Sequence, residues 1–280
     1  MRRTPGGAAL AELVVACVLA AVVSAAAAAA MVGAERYARR VTASSEARRT
    51  LSEAELTLAA ELRSAAADSL RLVGDTAAEF LGLVGTSAAC VATGRLLVLP
   101  PALSTAVLPV TVWRLPPEVG DLVAVFDSAG GGSWRTARAD SVASRADGAG
   151  CTPASGLLSA ADSVARRPVT RLRLDRALPP SAGAGAPVRL LRRGRFVLTR
   201  GGDRSWSLAY RRCSGSPGCG NAQPVAGPLA SASDSGLAFT LVEGEPRLEA
   251  MLRAPRREAL TPGESRRLVI TLRNRATGAP

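Results

Sequence analysis

The stretch GGAALAELVVACVLAAVV, from Gly6 to Val23, is an apolar run that contains one charged residue, Glu12. With the alanine-rich residues that follow, the run extends from Ala8 to about Gly33. At about 1.5 Å per residue, the part after Glu12 covers about 30 Å, the thickness of a hydrocarbon core. A carboxylate inside hydrocarbon costs about 2.5–3.5 kcal/mol on insertion scales, and such residues usually have a function. The stretch therefore predicts a membrane-spanning helix that uses Glu12.

Three interpretations of this run differ in what they make of Glu12. A secretory signal peptide would combine Arg2 and Arg3 with the apolar core and a small-residue cleavage site within SAAAAAA. A plain signal anchor would stay in the membrane uncleaved. Neither of these has a use for a carboxylate. The third interpretation is a prepilin-type N-terminus, in which a glutamate has a fixed place.

The N-terminus resembles that of the type IV prepilins. The family pattern is a short basic leader that ends in glycine, a cut, and a glutamate at the fifth mature position before a long apolar helix. Here the leader is MRRTPGG, the cut falls between Gly7 and Ala8, and Glu12 is the fifth mature residue. Leu10 and Leu13 occupy the leucine positions of the family motif. The residue after the cut is usually phenylalanine, and this chain has Ala8 instead.

The resemblance implies a bacterial inner-membrane protein with an exported head. A prepilin peptidase would cut after Gly7 and methylate the new amine of Ala8. Glu12, with Leu10 and Leu13 beside it, would then dock against the N-terminal amine of a neighbouring subunit. An ammonium and a carboxylate that pair in the membrane offset each other's desolvation.

An amphipathic pattern continues after the membrane run, without proline or glycine from Glu35 to Ala67. It predicts either a separate helix or one continuous helix from about Leu10 to Arg63, roughly 80 Å long. Apolar residues recur there at three- and four-residue steps: Ala47, Leu51, Ala54, Leu58 and Leu62.

From Asp68 onward the chain consists of short strand-like runs separated by Gly, Pro, Asp and Ser. Two hairpins are predicted, with turns at Gly201–Asp203 and around Gly130–Gly132. The glycine run lacks the G-K-[ST] ending and the following helix of a phosphate-binding loop, so it is interpreted as a hairpin tip.

The order of these runs is similar to that of PilW-like minor pilins. The similarity is carried by GDLVAVF, by APVRLLRRGRFVLTRGGDRSWSLAYRR with a cysteine after it, by QPVAGPL and GLAFTLVEGEP, and by the last run, RLVITLRNR. The plan of a helix followed by a head is shared with the minor pseudopilins of type II secretion. The implied partners are other pilin or pseudopilin subunits, a prepilin peptidase and the inner membrane.

The expected fold class is α+β, with a long N-terminal helix packed on an antiparallel, pilin-like head. The expected segments are a leader (1–7), a transmembrane and assembly helix (8–34), an exported helical continuation (35–67) and a β-rich head (68–280).

Five cysteines are present, and Cys17 in the apolar run is interpreted as a small apolar residue. The other four lie in the head, where an even number suggests disulfides in any of three connectivities. We favour Cys213 with Cys219 and Cys90 with Cys151. The spacings contain no C-x-x-C pair and fit no zinc pattern, so no metal is expected.

Composition excludes much chemistry. The chain has 35 basic residues, all arginine, and it has no histidine or lysine. Serine and cysteine relays that use histidine, Schiff-base lysines and P-loop lysines are therefore ruled out. The acids of the head sit mostly at turns, no pair suggests acid–base catalysis, and neither an enzyme nor a cofactor is expected. These acids are Asp121, Asp127, Asp140, Asp175, Asp203 and Asp234.

A net charge of +12 allows an acidic partner such as nucleic acid or anionic lipid. A minor pilin that captures DNA is the alternative function, through Arg189, Arg193 and Arg195, with Arg192 and Arg200 nearby. Residues two apart on a strand share a face, so Arg193 and Arg195 should align and Arg192 should point to the opposite side. The competing interpretation, which strand geometry favours, is solvated surface charge.

Overall fold

The chain begins with one long helix, α1 (Gly6–Arg63), of 58 residues. The structure is a computed structural model that describes residues 6–102, 110–128, 132–146, 150–152, 156–213, 218–242, 245, 247–256 and 263–272, with side chains from residue 11. The chain forms two compact units, Met1–Arg49 and Thr50–Pro280. The helix is continuous from the apolar run to Arg63, which is the second of the two alternatives that the sequence left open.

The part of α1 in the second unit supplies a buried face. Leu51, Ala54, Leu58 and Leu62 are completely buried, and their spacing places them on one side of the helix. On the other side Leu56 is 69% exposed. The predicted apolar stripe is therefore confirmed for these four residues.

After α1 the described chain is mostly strand, with a short helix α2 (Ala160–Val164). The strands are β1 (Arg71–Leu72), β2 (Ala77–Ala88), β3 (Val91–Thr93), β4 (Leu96–Leu99), β5 (Val112–Trp113), β6 (Leu122–Asp127), β7 (Ser133–Arg145), β8 (Val169–Leu174), β9 (Pro187–Arg200), β10 (Trp206–Arg212), β11 (Gln223–Leu229), β12 (Leu237–Leu241), β13 (Arg247–Arg253) and β14 (Ser265–Thr271).

Among the described residues, the strands form an 11-stranded sheet and a separate three-stranded sheet, β12-β13-β14. The main path of the large sheet is β1-β2-β9-β6-β7-β8-β4-β3; β10 joins β9 and β11, and β5 joins β2. Every strand pair in this part of the chain is antiparallel. The α+β class, with one long helix and a large antiparallel sheet, is confirmed.

Strand β9 organises the large sheet because it pairs with three others. One edge lies along β2. The other edge pairs with β6 from Val188 to Leu191 and with β10 from Gly194 to Arg200. Arg192 and Arg193 therefore lie at the junction where β6 gives way to β10.

Both predicted hairpins are present. In the first, Arg200 on β9 pairs with Trp206 on β10, and the turn closes with a bond from the Gly201 amide to the Ser205 carbonyl. The turn is two residues longer than predicted, because Asp203 accepts hydrogen bonds from the amide and hydroxyl of Ser205. The second hairpin joins β6 to β7, and Gly130 and Gly131 of its predicted turn lie outside the described residues.

The main apolar core lies on the inner face of β4, β6, β8 and β9, where Leu97, Leu99, Val123, Leu172 and Leu190 are fully buried. Alternation along β4 turns Val98 to the opposite face. There a second, smaller cluster forms around Cys90, Cys151 and Val169.

Candidate functional site

The predicted cleavage site lies at the start of α1. Gly7, Ala8 and Leu10 belong to the helical backbone, and their side chains lie outside the described residues. The predicted cut between Gly7 and Ala8 would remove only the first two residues of α1, Gly6 and Gly7.

Glu12 is an exposed carboxylate on an exposed apolar helix surface. Val15, Leu19 and Val23 are three, seven and eleven residues further on, so they share its face, and each is exposed. No charged residue occurs from Leu13 to Ala34. Among the residues that the structure describes, none pairs with Glu12. The carboxylate is therefore available for a cation supplied from outside the described chain.

The surface around Glu12 suits helix packing. Leu13 is exposed beside it, and alanine dominates the run up to Ala30. Small residues let helix backbones approach closely in a membrane. Of the helices described, one, α1, is long and apolar enough to cross a membrane.

The head contains both of the predicted disulfides, Cys90–Cys151 and Cys213–Cys219. Cys90 and Cys151 are buried against Val98 and Leu158. The amide of Cys213 donates to the Arg193 carbonyl on β9. This hydrogen bond connects the start of the loop closed by Cys213 and Cys219 to β9. Cys17 is a free, exposed thiol on α1.

A carboxylate oxygen of Glu79 lies within 4.8 Å of both sulfurs of the Cys213–Cys219 disulfide. Because those sulfurs are bonded to each other, they cannot act as thiolate ligands for a metal. Glu79 instead accepts hydrogen bonds from Arg195 across the sheet and from Arg71 at 2.9 Å. Burial alone would raise the pKa of Glu79, but these two arginines outweigh it and lower the pKa.

Arg192 forms the most buried ion pair of the described head. Its Nε and Nη2 donate to the two oxygens of Asp121 at 2.7 and 2.8 Å, and Nη2 also donates to the Pro116 carbonyl. Both charged side chains are almost completely buried. The hydrogen bond to Asp121 raises the pKa of Arg192 against the opposing effect of burial. Glu118 contacts Arg192 and also pairs with Arg212.

The arginines proposed to contact a polyanion are mostly engaged within the head. Arg195 is held by Glu79, and the Arg189 guanidinium lies 4.4 Å from the centre of the Trp134 ring. Arg193 and Arg200 are exposed. Along β9, Arg192 is buried, Arg193 is exposed and Arg195 is partly buried. These contacts give Arg189, Arg192 and Arg195 structural roles.

The acids considered for catalysis have structural partners of their own. Asp121 binds Arg192, Asp127 is buried 3.8 Å from Arg135, and Asp175 accepts from the Arg138 amide at 2.8 Å. The Asp234 carboxylate accepts from the Ser231 hydroxyl, whose oxygen accepts in turn from the Asp234 amide. The Asp203 carboxylate accepts from the Ser205 hydroxyl. Asp140 is exposed.

Comparisons of the chain with protein-family models, with curated proteins and with solved structures found no match. The features that bear on function are therefore those of the chain itself: a long apolar helix with one carboxylate near its start, followed by a disulfide-bonded antiparallel head.

Proposed function

We propose that this chain is a minor pilin or pseudopilin. A prepilin peptidase would cleave it after Gly7, and the mature subunit would help to initiate or cap a type IV pilus or a type II secretion pseudopilus. It would be held in the bacterial inner membrane by α1, with its head exported. The observation that carries the proposal is Glu12, one exposed carboxylate in an otherwise uncharged helical run, five residues after Gly7.

The role of Glu12 follows from the cost of an unpaired charge. Apolar helices that pack side by side carry little directional information about their register. A carboxylate out of register stays unpaired in the membrane at a cost of a few kcal/mol, whereas one opposite a free amine is neutralised. The amine would be the one freed at Ala8 of a neighbouring subunit.

The first test is processing. Co-expression with a prepilin peptidase should give a mature protein that begins at Ala8, and replacement of Gly7 by a bulky residue should block the cut. N-terminal sequencing reads the result directly. A start within Ala25–Ala30 would be the product of ordinary signal peptidase and would contradict the proposal.

The second test is assembly. Glu12→Ala should leave membrane insertion, cleavage and head folding intact but reduce co-purification with partner pilins and the number of filaments. Glu12→Asp should be intermediate because its shorter side chain reaches the amine poorly. A Ser24→Ala control, in the same run, should assemble normally. Unchanged co-purification of Glu12→Ala would remove the assembly role.

A further inference from the structure

The apolar run of α1 ends in a group of arginines. Residues 11–40 are exposed along the helix, and Met31 and Val32 are the last large apolar side chains of the uncharged run. Glu35 is the first charge after Glu12, and Arg36, Arg39 and Arg40 follow within five residues. Three arginines and one glutamate give residues 35–40 a formal net charge of +2 where the hydrophobic surface stops.

The three arginines share one side of the helix, because residues three and four apart are neighbours on its surface. Glu35 pairs with Arg39, but their side chains are 62% and 73% exposed, so water screens the pair. A guanidinium has five N–H donors, and one carboxylate contact leaves others for a second anion. Tyr37, 70% exposed, lies at the same level.

We propose that this arginine face, formed by Arg36, Arg39 and Arg40, binds the phosphates of anionic phospholipids. Guanidinium groups match phosphate oxygens in paired, charge-assisted hydrogen bonds. Tyrosine is favoured at the same depth, where its ring meets the apolar layer and its hydroxyl meets water. The inference requires that α1 lies in a membrane, and it does not depend on filament assembly.

A consequence concerns the depth of Glu12. From Glu12 to Arg36 is 24 residues, about 36 Å along a helix. A hydrocarbon core is about 30 Å thick. With the arginine face at the phosphates of one leaflet, Glu12 lies at the opposite boundary of the core. The arginine face would thus set the depth at which Glu12 is presented.

The lipid preference can be measured with the full-length chain in phosphatidylcholine vesicles. Spin-labelled phosphatidylglycerol or phosphatidylcholine is added, and electron spin resonance gives the fraction of each lipid immobilised on the protein. Phosphatidylglycerol should be enriched about 30-fold, because two net positive charges at about 1 kcal/mol each near the surface amount to about 2 kcal/mol. The R36Q/R40Q variant should lower the enrichment to about twofold, and salt should weaken it in the unmodified chain.

The matched control is R48Q/R49Q, which removes the same charge from the same helix. Arg48 is 12 residues beyond Arg36, about 18 Å further from the membrane and more than a Debye length away at physiological salt. Both variants keep Arg2 and Arg3, so any contribution of the leader is equal. The control should retain the enrichment.

A nitroxide on Cys17, the free thiol of α1, gives an independent readout of depth. Its accessibility to oxygen and to a water-soluble nickel complex should change when phosphatidylglycerol is added to the unmodified chain, but not in R36Q/R40Q. The proposal is overturned if the two lipids are immobilised equally, or if R48Q/R49Q loses as much phosphatidylglycerol enrichment as R36Q/R40Q. If the nitroxide on Cys17 is exposed to water, α1 does not span the membrane, and both the lipid proposal and the membrane placement are wrong. Failure of the peptidase to cleave the chain would contradict the proposed function but would leave the lipid result unaffected.

Discussion

Arg192 and Asp121 form a buried ion pair at the point where β9 changes partners. Arg192 follows Leu191, the last residue of β9 paired with β6, and precedes the stretch paired with β10. At this junction Arg192 makes a bidentate contact with Asp121, which is 71 residues away in sequence. Desolvation offsets much of the attraction in a buried pair. The pair therefore matters chiefly because either partner alone would be a buried, uncompensated charge.

Arg192→Gln should destabilise the chain by about 3–5 kcal/mol, because it leaves Asp121 buried and unpaired. The adjacent Arg193 is exposed, and Arg193→Gln should change the free energy of unfolding by no more than about 0.5 kcal/mol. Urea denaturation of the two variants measures the difference. Equal losses in the free energy of unfolding would show that Arg192, with its buried partner, contributes no more to stability than the exposed Arg193.

The pH dependence of stability should include a contribution from Glu79. Its pKa is lower in the folded chain than the ordinary value of 4.5, so its charged form stabilises the fold above that value. This contribution is lost as the pH falls through the lowered folded pKa. Denaturation midpoints of the unmodified chain should therefore drop below about pH 4.5 more steeply than those of Glu79→Gln.

Glu245→Gln serves as the control for the pH experiment. Glu245 also pairs with an arginine, Arg247, but its side chain is 52% exposed, and such pairs contribute little. Parallel pH profiles for Glu79→Gln and the unmodified chain would contradict the role given to Glu79.

At the residue scale, local geometry could be predicted and distant partners could not. Strand alternation predicted that the Arg192 side chain points to the face of the strand opposite that of Arg193 and Arg195. It could not identify Glu79 as the partner of Arg195, because the two residues are 116 apart in sequence. The excess of arginine therefore looked like a surface for polyanions, whereas Arg195 has a buried acid as its partner.

At the scale of elements, those defined by nearby residues were predicted well. The helix α1 follows from apolar periodicity and the absence of breakers, and the β9–β10 hairpin follows from its glycine-rich turn. The order of strands in the large sheet depends on pairings such as β2 with β9, which no local pattern encodes. Helix α2 was missed, although Ser159 and Asp162 form a capping box there that the sequence S-x-x-D indicates.

The two disulfides should contribute unequally to stability. A cross-link constrains the unfolded chain more when it closes a longer loop. Cys90 and Cys151 are 61 residues apart and Cys213 and Cys219 are 6 apart, which gives about 4 and about 2 kcal/mol in the loop-entropy model. The double replacements by serine, compared by thermal unfolding, should follow that order. A larger loss for the short bridge would mean that its loop contacts, including the bond from Cys213 to Arg193, dominate.

At the scale of the whole molecule, the division of the chain lies within α1. The two compact units are Met1–Arg49 and Thr50–Pro280, and the β-rich region expected from residue 68 lies within the second unit. The division lies within the helix because residues 50–63 bury Leu51, Leu58 and Leu62 completely. The last four turns of the helix are thus part of the folded head. The start of strand-like composition marks only where the helix ends.

A chain that begins at Thr50 should therefore fold without the apolar run and form both disulfides. A chain that begins at Ser64 should not, because it loses three buried leucines, each of which stabilises the fold by about 1.5–3 kcal/mol, out of a total that is typically about 5–15 kcal/mol. Within the Thr50 chain, Leu58→Ala should cost about 2–5 kcal/mol. Leu56→Ala, at an exposed position of the same helix, should cost no more than about 0.5 kcal/mol. Circular dichroism melting and non-reducing peptide mapping test both points. A Ser64 chain that melts cooperatively with both disulfides intact would move the start of the head back to the end of the helix, and the helix would then be a separate element that the head does not need.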